Sequence, residues 1–413
     1  MGAGDNNTPG VAAGIDQKGL RRDVGLRLFV LYGTGNIIGA GIYVLVGKVV
    51  GEAGYLAPLA FVLAAVIAGL TGLSYGELAA RYPVSAGEAV YLHKAFGKRW
   101  LSVAAGFLIA FAGLVSAATM ARGFTGYFNQ FFSVNSTLTI IVLIAVLTGI
   151  AVRGIAESAR TAAVLTLLEI AGLLWIIAVA SPALPGLADI EVASLTDGWS
   201  VWQGVFAAAF LAFFAFIGFE DMVSIAEEVR DPERNMPKGI LWAFAISTTL
   251  YLLVTVVSIA VLPVDELAAS EAPLADVYKA ATQGSAMLIS AIGLVAVVNG
   301  ALIQIIKASR VFYGMSCNGW LPKFFGVVHP RTRTPLRATL IAGAVVMLLA
   351  LVLPLVSLAK LTSGMVLVVF TLVNLALIRL KRMEAAPEGV PAVPMWVPVS
   401  GAIASAGILL AGF

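Results

Sequence analysis

The stretch YGTGNIIGAGIY, residues 32–43, places four glycines and an asparagine inside an otherwise apolar run. Glycine weakens a helix by roughly 1 kcal/mol relative to alanine, so this run is poorly suited to an unbroken helix. Three readings compete. A phosphate-binding loop is disfavoured, because the spacing is G-x-G-x-x-x-G and no strand–helix–strand unit surrounds it. Gly35 and Gly39 form a G-x-x-x-G pair suited to close helix packing. The third reading is a deliberate break in a membrane helix, with freed backbone groups facing a ligand.

Composition narrows the choice. Of 413 residues, 60% are hydrophobic and only 12% charged, about half the charged share of a soluble domain. The chain is therefore expected to be an all-α polytopic membrane protein. A net charge of +3 is no nucleic-acid signal. One cysteine, Cys317, excludes an internal disulfide framework. Two histidines, His93 and His329, lie in polar connections, so neither a metal centre nor another cofactor is expected. The polar N-terminus lacks the apolar core of a removable signal peptide, and Asn6 spoils a myristoylation match.

A spanning helix needs about 20 mostly apolar residues. Eleven such segments are expected, near 27–50, 56–80, 100–128, 137–152, 159–180, 201–226, 239–262, 284–313, 338–355, 360–379 and 397–413. With the N-terminus inside, all but four of the 26 Lys and Arg fall in inner connections, the exceptions being Lys48, Arg122, Lys279 and Lys360. The outer connection at 265–276, DELAASEAPLAD, is acidic. A cytoplasmic N-terminus is thus expected, with residues 181–200 and 263–283 outside. A twelfth span appears absent.

The sixth segment, FFAFIGFEDMVSIAEEV (213–229), carries a matching interruption at Gly218, Glu220 and Asp221. Breaks five helices apart are the pattern of transporters built from two inverted repeats. Such breaks persist in lipid only where they line a cavity.

With these residues the chain resembles the amino acid–polyamine–organocation superfamily, nearest the cationic amino acid transporter branch and its bacterial relatives. IIGAGIYVLVG, LSYGELAARYPVSAGEAVYLHKAFG, FFAFIGFEDMVSIAEEVRDPERNMPKGI and ASRVFYGMSCNGWLP carry the resemblance. It implies a five-plus-five inverted-repeat fold with discontinuous helices 1 and 6. The division would be a cytoplasmic segment 1–26, repeats at 27–180 and 201–380, and an additional helix at 397–413. It implies amino acid transport across the plasma membrane by alternating access. The substrate carboxylate would meet backbone at Ile37, Gly39, Ala40 and Gly41, and its ammonium the carbonyls of Phe214, Ala215 and Ile217. Phe214 would also be an aromatic gate, and Glu220 a gating or protonation site.

Glu169 departs from the family pattern, which often has a lysine there. Lying deep in the fifth segment, it is a candidate to carry a coupling proton, to help bind sodium, or to pair with Lys307 or Arg310. Proton coupling without sodium is the expectation. Glu77 reads equally as an ion-pair partner of Arg81 or as a functional carboxylate. Alternatives to amino acid transport are a polyamine or amine carrier, an amino acid exchanger, or a non-transporting nutrient sensor. A channel is disfavoured because no segment repeats a polar ring. An intramembrane enzyme is disfavoured because no nucleophile–base or metal constellation is legible.

Overall fold

The computed structural model describes residues 22–39, 41–84, 87–153, 159–189, 198–317, 319 and 321–412. Its elements are helices joined by short connections. The first span is broken into α1 (Leu26–Ile38) and α2 (Gly41–Ala53). Then come α3 (Ala57–Arg81), α4 (Gly87–Phe96), α5 (Arg99–Phe128), α6 (Ser136–Arg153) and α7 (Ala159–Ala180). The sixth span starts as α8 (Trp199–Ala212) and continues as two tight 3-10 segments, Phe213–Phe216 and Phe219–Glu228. After it come α9 (Pro232–Val261), two short helices α10 (Val264–Ala269) and α11 (Pro273–Thr282), and α12 (Met287–Cys317). The chain closes with α13 (Leu336–Val352), α14 (Leu355–Met383) and α15 (Trp396–Ala411). Each of the eleven expected segments coincides with a helix or helix pair. The acidic connection at 265–276 is itself mostly helical, as α10 and α11.

Among the described residues, eight helical stretches are long and apolar enough to cross a membrane, and three shorter apolar helices accompany them. Large apolar side chains point outward, among them Val142, Val146, Leu167, Trp175, Leu348 and Ile403. An apolar exterior over buried polar groups is the pattern of a protein solvated by lipid. Prolines sit where helices begin and their missing amide costs nothing: Pro58 in the first turn of α3, Pro232 and Pro273 at the starts of α9 and α11.

The broken helices lie at the centre. Tyr75 of α3, Phe213, Phe219 and Phe370 of α14 pack edge to face or tilted, with ring centroids 5.1–5.6 Å apart. Those contacts fix the sixth span on both sides of its break. The chain ahead of α1 is tied to the far end of the same span. Val24 N–H donates to Glu228 O at 3.0 Å, and Arg230 N–H donates to Val24 O at 2.9 Å.

Candidate functional site

α1 ends at Gly39, whose φ of 20° departs from the helical region and whose N–H donates to Gly35 O at 3.0 Å. The sixth span breaks at Ile217, which is extended, and Gly218, at φ 130°. A side chain at Gly218 would be forced into the carbonyl of Asn36. A Cβ at Gly41 would lie 2.6 Å from Cα of Ala215. Glycine is required at both positions, because the two breaks touch each other through backbone.

One hydroxyl bridges them. Tyr251 Oη of α9 lies 2.6 Å from Ile37 O and 2.8 Å from Ala215 O. Its ring is held by Phe61 and Phe216, at centroid distances of 6.0 and 5.2 Å. A single O–H proton shared between two carbonyls leaves acceptor capacity at both, since each carbonyl oxygen has two lone pairs.

The expected substrate residues divide accordingly. Gly41 stands at the start of α2, where the first amides have no acceptor within the helix and the helix end attracts anions. Ile37 lies inside α1, and the amide of Gly39 is already spent on Gly35. Open amides at this break therefore belong to the start of α2 rather than to Ile37 or Gly39. Ala40 lies outside the described residues. On the other side, Phe214 O accepts from Ile217 N–H at 3.2 Å, and Ala215 O accepts from Tyr251. Phe214 is buried beside Ala215.

Glu169 is 1% exposed on α7. That helix packs on the first break: a side chain at Gly35 would collide with Thr166, one turn from Glu169. Gly35 thus serves the close packing weighed for the G-x-x-x-G pair. Tyr43 Oη donates to the backbone carbonyl of Glu169 at 2.9 Å, and Tyr127 Oη donates to Tyr43 O at 2.6 Å. The carboxylate is within electrostatic reach of Tyr43 and Tyr251. Among the described residues, Lys307 forms its ion pair with Asp221 rather than with Glu169, and Arg310 is exposed.

The Lys307 end of that ion pair lines a pocket opening from the second break. The pocket is lined by Ser116 of α5, Ile217 and Glu220, Gln304 and Lys307 of α12, and Thr362 of α14, among others. It is narrow, with room for about one water molecule. Glu220 accepts from Gly218 N–H at 2.8 Å, which makes the acid part of the break's own geometry. Gln304 Nε2 donates to Asp221 Oδ2 at 3.3 Å. Glu88 of α4 stands nearby and accepts from Tyr75 Oη at 3.2 Å. Burial pushes the Glu88 carboxyl above the usual carboxylate range, against the opposing pull of Lys307. Lys307, counted from the sequence with the cytoplasmic charges, is instead a pocket residue.

Glu77 has a structural assignment. It accepts from Arg81 Nη2 at 2.7 Å, from Lys381 Nζ at 2.8 Å and from Val393 N–H at 2.7 Å. This knot joins α3 to α14 and to the segment ahead of α15.

Sequence reasoning missed Tyr251, Tyr43, Gln304 and Glu88. Tyr251 sits in a plain apolar run, TTLYLLVTV, with no local signal. Lys307 had one: a lysine inside a spanning segment is costly and therefore needs a partner.

Two glycine-broken helices in contact, a polar pocket beside them and an apolar exterior define a multi-pass membrane transporter of the all-α class. Residues 26–413 match the family described as amino acid permease, and the chain belongs to that family, within the amino acid–polyamine–organocation superfamily. The branched-chain amino acid permease BcaP of Bacillus subtilis (strain 168) is 31% identical over 419 residues, 93% of this chain and 87% of its own. The methylthioribose transporter of the same organism is 29% identical, covering 97% and 89%. Cationic amino acid transporter 4, vacuolar, of Arabidopsis thaliana is 30% identical, covering 88% of this chain and 63% of its own.

Proposed function

We propose that the protein is a secondary active transporter of amino acids, working by alternating access across the plasma membrane with its N-terminus cytoplasmic. The observation that carries this reading is the meeting of the two breaks at Gly41 and Ala215 under the Tyr251 hydroxyl. A zwitterion fits such a junction: its carboxylate at the start of α2, its ammonium at the carbonyls of Phe214, Ala215 and Ile217. Phe214 closes over it as a gate. Two inverted repeats, at 27–180 and 201–380, relate the breaks.

The coupling ion in this reading is a proton carried by Glu169, with no need for sodium. Glu169 is buried against the first break through Tyr43, so neutralising it changes the field at the break and biases it between outward and inward states. Glu220, hydrogen-bonded to the second break, couples gating to the same movement.

Uptake into proteoliposomes under an imposed pH gradient tests this. Uptake should persist in sodium-free choline medium, and Glu169→Gln should bind substrate nearly as the parent does while losing pH dependence. A requirement for sodium would move Glu169 to a cation site, and a parent-like pH profile in Glu169→Gln would leave it a structural role. The orientation is tested separately. A cysteine at Ser270 should be labelled from outside and one at Asn235 should not.

A further inference from the structure

The pocket that opens at Ile217 ends on a charge arrangement that proton coupling does not use. Lys307 extends from α12 and meets Asp221, one residue past Glu220, with Glu220 and Glu88 also within its electrostatic reach. Two of the three carboxylates have donors of their own: Gly218 N–H serves Glu220, and Tyr75 Oη serves Glu88. Asp221, only 5% exposed at its side chain, takes the ammonium of Lys307 and the amide of Gln304. Gln304 is itself 8% exposed, and its Oε1 receives no hydrogen bond among the described residues. A carboxylate cluster whose Glu220, Gln304 and Lys307 line the pocket, with a spare buried acceptor on Gln304, is suited to an ammonium or guanidinium. Here the chain supplies that cation itself.

We propose that Lys307 is a tethered cation that determines substrate charge, filling the Asp221 site and so excluding amino acids with basic side chains. This rests on the reading above that a substrate binds at the breaks, and adds that its side chain points toward this pocket, which has to widen beyond its present single-water size to take it. With Asp221 neutralised, a second cation entering the pocket meets the Lys307 ammonium as a like charge, whereas an uncharged side chain does not. Removing only the lysine leaves Asp221 uncompensated in a buried setting, and a diffusible cation of suitable length then becomes the favoured partner. A merely structural ion pair between α12 and the sixth span predicts none of this: its loss weakens the fold and creates no new ligand.

The experiment is thermal stabilisation of the purified full-length protein by a panel of leucine, valine, alanine, lysine, arginine and ornithine. The parent should be stabilised by neutral members and not by basic ones. Lys307→Met should gain at least about tenfold in apparent affinity for a basic member, the size expected when a like charge is removed from the pocket. Lys307→Met combined with Asp221→Asn should lose that gain. Should Lys307→Met purify only as unfolded protein, purification in arginine or lysine should restore it.

Equal stabilisation of the parent by basic and neutral amino acids overturns the proposal. So does a Lys307→Met protein that keeps the parent's neutral ligand and gains no basic one, or one that no basic amino acid rescues. If no amino acid stabilises the parent, the substrate-site reading fails and this inference falls with it. If neutral ones stabilise it but the variant gains nothing, only the inference falls.

Discussion

Two buried ionic clusters lie toward the same ends of their helices and differ in kind. Around Glu77, every bond points to a fixed partner: Arg81 on the same helix, Lys381 on α14, and the Val393 amide. Arg81 and Glu77 side chains are 2% and 0% exposed, and neither lines the pocket at Ile217. Around Asp221, the lysine side chain is 22% exposed, three carboxylates share one ammonium, and Gln304 Oε1 receives no bond. A carboxylate held by three fixed donors keeps helices in one arrangement, whereas several carboxylates around one ammonium beside a cavity can exchange partners. The first is a staple and the second is placed to meet a ligand.

The largest expected effect breaks this comparison at its functional end. Gly41→Val places a branched side chain against the Ala215 backbone, at the junction of the two breaks. It should abolish substrate binding, read by ligand-induced thermal stabilisation, in protein that still inserts. Normal uptake by Gly41→Val would return the glycines to plain helix packing.

Next in size is the staple. Glu77→Ala leaves two buried cations facing no carboxylate, which costs about 3–5 kcal/mol when a buried pair is broken. A large fall in the melting temperature is expected, with the order of preference among ligands unchanged. A changed ligand order with little loss of stability would erase the distinction between the clusters.

The smallest effect lies at the rim of the staple. Tyr82 Oη donates to Glu384, and burial together with that bond raises the phenol to about 12. A folded value above the ordinary 10.0 means the contribution is complete below that value and is lost as pH rises through about 12. Tyr82→Phe should therefore cost about 0.5–1.5 kcal/mol, unchanged across neutral pH, by denaturation at several pH values. A cost that changes between pH 6 and pH 8, about two units below the ordinary phenol value, would show that another group titrates with it.

Much of the fold was legible because its signals are local. Apolar length marks a span wherever it occurs, and Gly39 with Gly218 interrupts two spans whatever surrounds them. The site was legible only in outline. Its backbone half follows from the breaks, but the amides with no acceptor in their own helix are those at the start of α2, because Gly39 turns its own N–H back to Gly35. Its side-chain half depends on pairs far apart in sequence, Asp221 with Lys307 and Tyr251 with Ile37, and so does the staple, Glu77 with Lys381. No periodicity connects such residues, since packing alone brings them together. Glu77 was left open between ion pair and function for the same reason: Arg81 is visible four residues on, while Lys381 is not.

The central claim is that one junction satisfies both ends of an amino acid. It is tested most directly by comparing a stabilising amino acid with its decarboxylated amine and its methyl ester, in binding to the purified parent. The account predicts that the amine and the ester each lose nearly all binding, because α2 then has no carboxylate to hold. An amine that binds as well as the amino acid would contradict it and make the junction an amine site.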